Sequence, residues 1–279
     1  MDILQSIIMG IVQGLSEFLP ISSSGHLVFS SGFYKAFKGI EILEHSNQEV
    51  FFDIMLHLGT LIAVLIFFRK DIWNIIKALY KGIKEKQYNN SDFKTGIYII
   101  LGTFITVLIA YPLHDIAEKL VFRPDIVGLL LTITGVLLLF SEYYSKKFEN
   151  KKELTLKNSI IIGISQGLAA LPGFSRSGLT IATGLLNGMD RTTAARYSFL
   201  LSIPIILGSS MLYPFIKLDI KEVLTFDWTA IIVGTIVSGI VGYLCIKYFL
   251  KFVSKFSLSA FGYYCLLMGI FTFIFFMNK

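Results

Sequence analysis

Along the 279 residues, long apolar runs alternate with short basic stretches. Six runs hold enough apolar residues, roughly 20 at helical rise, to cross a bilayer. They lie near 51–69, 93–112, 125–144, 193–216, 227–249 and 258–277. Two further apolar stretches, 1–34 and 157–188, are interrupted near the middle by proline, glycine and a cluster of serines. Each half of such a stretch has about 12–18 residues, short for a span at 1.5 Å per residue. The pattern predicts a re-entrant helical hairpin in each, which turns on the polar segment and leaves by the face it entered. Broken backbone at that depth is tolerated only inside protein or beside a water-filled cavity.

The interrupted stretches resemble each other. The first reads GIVQGLSEFLPISSSGH from Gly10, and the second GISQGLAALPGFSRSGLT from Gly163. They share G-I-x-Q-G-L, then L-P, then S-x-S-G, with a one-residue gap before the proline and a compensating insertion after it. Each precedes three spans. The chain therefore reads as an all-α polytopic membrane domain over 1–279, built from two repeats. The first, 1–145, is hairpin 1–34 plus three spans; the second, 157–279, is hairpin 157–188 plus three spans. Three is odd, so the second copy must be inverted in the membrane. Inverted repeats with discontinuous helices place their site near the midplane, where the breaks meet.

Composition agrees with this pattern. Hydrophobic residues make up 54% and charged residues 16%, with mean hydropathy +0.69, too apolar for a soluble domain. The net charge of +6 reads as cytoplasmic loops, not nucleic-acid binding. If the spans alternate, 17 lysines and arginines fall on the side holding loops 69–94 and 145–157, against 7 on the other. That excess marks the first side as cytoplasmic and puts both termini outside. The chain opens Met-Asp with no basic residue before Lys35, so no secretory signal peptide is expected. Cys245 and Cys265 lie in apolar runs without metal-ligand spacing and read as membrane-buried thiols.

Candidate chemistry gathers at the two breaks. Gln13 and Glu17 are four apart and share a helix face, and an ionisable group at membrane depth is a functional candidate. Ser22, Ser23 and Ser24 follow Pro20. If a helix restarts there, its unpaired N–H groups and the hydroxyls make an anion cradle; capping alone needs one serine. His26 lies just inside that helix, where imidazole serves as a general acid or base. In the second break, Arg176 is a permanent cation that forks onto phosphate or carboxylate, flanked by Ser175, Ser177 and Thr180. Without an anionic ligand, Arg176 needs Glu17 as its partner. His45 and His114 fall in loops. His57 lies in a span one turn from Asp53, either facing the cavity or bonded to that aspartate. No P-loop, zinc-type spacing or dinucleotide fingerprint is present. A carboxylate beside a phosphate site implies a divalent cation, and a lipid-borne phosphate would enter sideways between helices.

QGLSEFLPISSSGH and PGFSRSGLT are similar to the two signature motifs of the undecaprenyl-diphosphate phosphatase family, the bacitracin-resistance type. The resemblance runs through the whole chain in element order. It implies a hydrolase of the bacterial plasma membrane that removes the terminal phosphate of undecaprenyl diphosphate, dependent on Mg²⁺ or Ca²⁺, with an outward-facing site. Matching positions imply catalytic roles for Glu17, Ser23, His26 and Arg176. They imply phosphate binding by Ser22, Ser24, Ser175, Arg176, Ser177 and Thr180, and metal binding by Glu17 and Gln13. Gln13 stands where many members have a second Glu, and Ser24 where Thr is common. Either Ser23 attacks with His26 assisting, or a water activated by Glu17 attacks directly. A secondary transporter or flippase for a lipid-linked phosphate is the alternative, since inverted hairpins with an intramembrane charge describe those too. Oligomeric state is left open.

Overall fold

The computed structural model describes residues 3–38, 47–148, 153–217 and 220–277, which are helical with no strand among them. In chain order the helices are α1 (Ile3–Ser16), α2 (Ser23–Lys38), α3 (Asn47–Phe67), α4 (Arg69–Glu85) and α5 (Ser91–Ala110). A 3₁₀ turn (Tyr111–Leu113) leads into α6 (His114–Leu120) and α7 (Pro124–Ser145). The remainder are α8 (Leu156–Leu168), α9 (Arg176–Leu186), α10 (Arg191–Lys217), α11 (Ile220–Val223), α12 (Trp228–Val253) and α13 (Ser259–Phe276). Six helical segments are long and apolar enough to cross a membrane: α3, α5 continued through α6, α7, the first part of α10, α12 and α13. They coincide with the six expected spans.

The interrupted stretches each fold as two short helices. At 1.5 Å per residue, α1 with 14 residues reaches about 21 Å and α9 with 11 about 16 Å, against a hydrocarbon core of about 30 Å. The glycines of the shared G-I-x-Q-G skeleton let these helices approach their neighbours. A Cβ on Gly10 would stand 2.6 Å from the Gly234 carbonyl oxygen, and one on Gly14 2.8 Å from that of Ser238, both on α12. In α8, a Cβ on Gly163 would lie 2.8 Å from the Gly102 carbonyl oxygen, and one on Gly167 2.5 Å from Ile109 Cβ, both on α5. Small residues four apart at a helix crossing are how membrane helices gain close backbone contact. So α1 seats on α12 and α8 on α5, while α7 and α13 pair with each other.

The core lies beneath the first break. Phe18, fully buried, meets Phe199 edge-on at 5.2 Å between ring centroids, and Phe199 contacts Phe68 and Phe249. Cys245 and Cys265 are buried, and their thiols reach the carbonyls of Leu15 and Pro20 at 3.3 Å. Glu142, buried in α7, accepts both Arg191 Nε (2.8 Å) and Nη2 (2.6 Å), plus the Leu258 N–H (2.8 Å). That bidentate clamp fixes α10 and the start of α13 to α7.

Two stretches differ from expectation. Residues 69–94, read as a loop from their charge, contain the 17-residue helix α4. Its apolar positions recur at helical spacing among the lysines, and charge alone hid that period. His114, also expected in a loop, opens α6 and sits 3.3 Å from Glu118 one turn on. His45 lies outside the described residues.

Candidate active site

Both breaks end in the same place. Glu17 continues the last turn of α1, its N–H donating to the Gln13 carbonyl at 3.0 Å. Gln13 and Glu17 therefore share a face, as their spacing requires. After the turn through Pro20, Ser22 adopts φ 70°, left-handed backbone that is uncommon outside glycine. That conformation lets Ser22 cap the start of α2: its hydroxyl accepts the Gly25 N–H at 3.1 Å, and its carbonyl accepts the His26 N–H at 3.1 Å. In the second break, Gly173 has φ +100° and lies against the Val127 carbonyl, where no side chain fits. Ser175 caps α9 through the Gly178 N–H at 3.0 Å, which puts Arg176 at the first helical position.

The breaks are bolted together. Ser22 Oγ donates to the Phe174 carbonyl at 3.2 Å, and Ser177 Oγ donates to the Leu19 carbonyl at 2.9 Å. Above these two bonds, Arg176 Nη2 donates to Glu17 Oε1. Glu17 is only 5% exposed, and its second oxygen, Oε2, accepts the Ser23 hydroxyl at 2.6 Å and Gln13 Nε2 at 3.0 Å. One carboxylate thus joins a serine of the first break to the arginine of the second.

Not every sequence-selected residue meets the Glu17–Arg176 pair in the same way. The hydroxyls of Ser22, Ser175 and Ser177 are engaged in caps and cross-break bonds, Ser175 and Ser177 lying 3.3 Å apart. Thr180 Oγ1 stands 2.7 Å from the Arg176 carbonyl and 2.6 Å from the Ser198 hydroxyl, tying α9 to α10. Ser24 is half-buried, 3.4 Å from Ser22 Oγ. His26 sets Nδ1 2.8 Å from the Ser22 carbonyl. A carbonyl only accepts, so Nδ1 carries the proton. Its Nε2 lies 2.6 Å from the Tyr264 hydroxyl, with the two rings stacked at 5.7 Å. Both ring nitrogens are therefore taken by groups other than Ser23.

Two further members lie here, His57, which the sequence left open between the cavity and Asp53, and Tyr264, which it did not mark. His57 Nδ1 lies 2.8 Å from Gln13 Nε2 and 3.4 Å from Glu17 Oε2, with the Asp53 charge close by. The signal that pointed to it was an ionisable residue inside a span. Tyr264 has no local motif, and only the fold brings α13 to His26.

Two buried atoms of the site have no partner among the described residues: Gln13 Oε1 and Arg176 Nη1. The first is an acceptor and the second a charged donor, and each is costly to leave unmade. Nη1 suits a phosphate oxygen. Gln13 Oε1, Glu17 and Ser23 are all oxygen donors, the kind that hard cations such as Mg²⁺ and Ca²⁺ take. Among the described residues no group of three or more His, Cys, Asp or Glu is placed to hold a metal. The donor set therefore fits a divalent cation shared with a bound phosphate better than one caged by protein, as is usual for Mg²⁺.

A family model described as bacitracin resistance protein BacA matches residues 6–271. The chain belongs to the BacA family. Among its curated relatives, the undecaprenyl-diphosphatase of Methanosphaera stadtmanae is 42% identical over 98% of both chains. That of Halothermothrix orenii is 40% identical over 97% of this chain and 96% of its own. The one from Saccharophagus degradans is 37% identical over 96% of each. The BacA match takes in both breaks, five of the six spanning segments whole and most of the sixth, so the site just described belongs to the matched part throughout.

Proposed function

We propose that this chain hydrolyses undecaprenyl diphosphate to undecaprenyl phosphate and inorganic phosphate, recycling the lipid carrier of cell-wall synthesis and conferring bacitracin resistance. One observation carries the assignment to this site. Glu17 holds the Ser23 hydroxyl with one oxygen and Arg176 with the other, and Arg176 keeps a second amino group unpartnered for the substrate.

In this reading Arg176 Nη1 and the head of α2 bind the terminal phosphate, where helix N–H groups and guanidinium offset charge that spreads during phosphoryl transfer. A divalent cation held by Gln13 and Glu17 would neutralise diphosphate charge. Ser23 Oγ attacks the terminal phosphorus, and its proton passes to Glu17 Oε2. The bond from that phosphorus to the bridging oxygen breaks, and the lipid monophosphate leaves with the electron pair. Glu17 gives that proton to the departing monophosphate oxygen and, ionised again, takes one from water. The hydroxide attacks the phosphoserine phosphorus, the P–Oγ bond breaks, and the proton held by Glu17 returns to Ser23 Oγ as phosphate leaves. The 2.6 Å Ser23–Glu17 bond favours Glu17 as the base. His26, bonded to Ser22 and Tyr264, is assigned to shaping the turn.

The same proposal reads α1–α2 and α8–α9 as re-entrant hairpins of two inverted repeats, 1–145 and 157–279. The exchange of partners, α1 on α12 and α8 on α5, supports that reading. The charge asymmetry supports a cytoplasmic 69–94 segment and outside termini in the plasma membrane. Detergent-purified protein given polyprenyl diphosphate and Mg²⁺ should release free phosphate with no membrane present, and acid quenching should trap phosphoserine at Ser23. Full release by Ser23→Ala would replace the serine route by direct water attack. Lipid flux in liposomes without phosphate release would favour a transporter instead.

A further inference from the structure

Helix α4 carries three distinct faces. At 100° per residue, Ile75, Ala78 and Gly82 fall on one side and are buried, with Ile75 and Leu79 against Gly96 and Gly82 against Phe93 of α5. The next sector holds Trp73, Ile76, Tyr80 and Ile83, all outside the protein, with Trp73 67% and Ile83 77% exposed. Beyond it, Lys70, Lys77, Lys81 and Lys84 form a third stripe, all exposed. Asp71 is turned away from the lysines and held by Arg196 at 2.6 Å.

The position of the helix is set by its neighbour. Ile72 donates to the Phe68 carbonyl and Phe68 to that of Val64, both at 2.9 Å, so α4 begins within two residues of the end of the spanning helix α3. Four large apolar side chains there, flanked by a row of lysines, have the make-up of a helix lying in a bilayer surface. Lys84 Nζ stands 3.2 Å from the Tyr80 hydroxyl and 5.5 Å from its ring, which holds the ammonium level with the phenol, as in an interfacial belt.

We propose that α4 is an interfacial helix: its Trp73–Ile83 stripe enters the acyl boundary of the leaflet where α3 ends, and its lysines bind anionic lipid headgroups. Charge complementarity selects this occupant. A second copy of the chain would bring a like row of lysines, whereas acidic headgroups concentrate beside basic segments at a membrane surface.

Trp73 reports on this directly, because Trp228 is the only other tryptophan. Trp228→Phe protein is reconstituted into vesicles of brominated phosphatidylcholine, with or without brominated phosphatidylglycerol at matched total bromine. Trp73 emission should be blue-shifted and quenched by acyl-chain bromine, about twofold more strongly when the anionic lipid carries the label. The triple variant K77Q/K81Q/K84Q should lose that preference and keep the quenching. If Trp228→Phe does not fold, the difference between native protein and Trp73→Phe gives the same signal. An indole open to aqueous iodide and untouched by bromine would overturn the proposal. So would a blue-shifted indole that lipid bromine does not reach, which would mean protein covers the stripe. Equal quenching by both lipids would remove the headgroup selectivity.

Discussion

Glu17 and Arg176 raise the question of whether their bond serves folding or chemistry. Removing one partner of such a pair strands the other charge in a dry site, at about 3–5 kcal/mol. Glu17→Gln and Arg176→Gln should each lower the unfolding midpoint in detergent. Each should also cut phosphate release by about a hundred- to a thousandfold, as loss of an electrostatic stabiliser does. The double variant should regain much of the stability and none of the activity. Thermal unfolding beside a phosphate assay checks this; recovery of turnover in the double variant would make the pair purely structural. At this scale the sequence carried the reactive residues well but not their partners. Spacing alone put Gln13 and Glu17 on one face. A hydroxyl in a sequence does not declare whether it will bind phosphate, cap a helix or join two turns, and Ser22, Ser175 and Ser177 are engaged in the latter two. His57 and Tyr264 reach the site from α3 and α13, far along the chain, so no local pattern marks them together.

The short helices hold their place by backbone contact. Gly14 of α1 is a sharp test, because a Cβ there meets the Ser238 carbonyl at 2.8 Å and the Gly242 nitrogen at 2.9 Å. Backbone does not yield as a side-chain tip does. Gly14→Ala should push α1 from α12, destabilise the protein by about 1–3 kcal/mol, and tilt Gln13 and Glu17 out of register. Gly208 in α10 has open space around its would-be Cβ, so Gly208→Ala should be neutral or stabilising by up to about 1 kcal/mol. Comparing the two unfolding midpoints, with activity alongside, separates crossing contacts from helix propensity; a harmless Gly14→Ala would remove the packing argument. The six spans were legible because twenty apolar residues in a row admit few other structures. The breaks were legible because proline and serine interrupt such a run. Helix α4 was not, since the lysines interleaved with its apolar positions mask the helical period.

The whole molecule should have opposite ends of α5 and α6 on opposite sides of the membrane. Both native cysteines are buried, which leaves a quiet background for thiol labelling. Lys84→Cys and Lys119→Cys, introduced singly, should react with an impermeant maleimide from opposite faces of sealed vesicles, and labelling of both from one face would refute the span order. Two short motifs marked the breaks, yet the closing of one break upon the other was not readable, because sequence similarity says nothing of distance. That closure has a consequence for how the protein is made. Glu17 and Arg176 are 159 residues apart in the chain, so at a translation rate of about 5–20 residues per second the acid emerges roughly 8–30 s before its counter-charge. During that interval the segment around Glu17 cannot settle in apolar surroundings as an anion. It must linger near water or under the care of the insertion machinery, and maturation of the reactive centre becomes one of the last events of biogenesis.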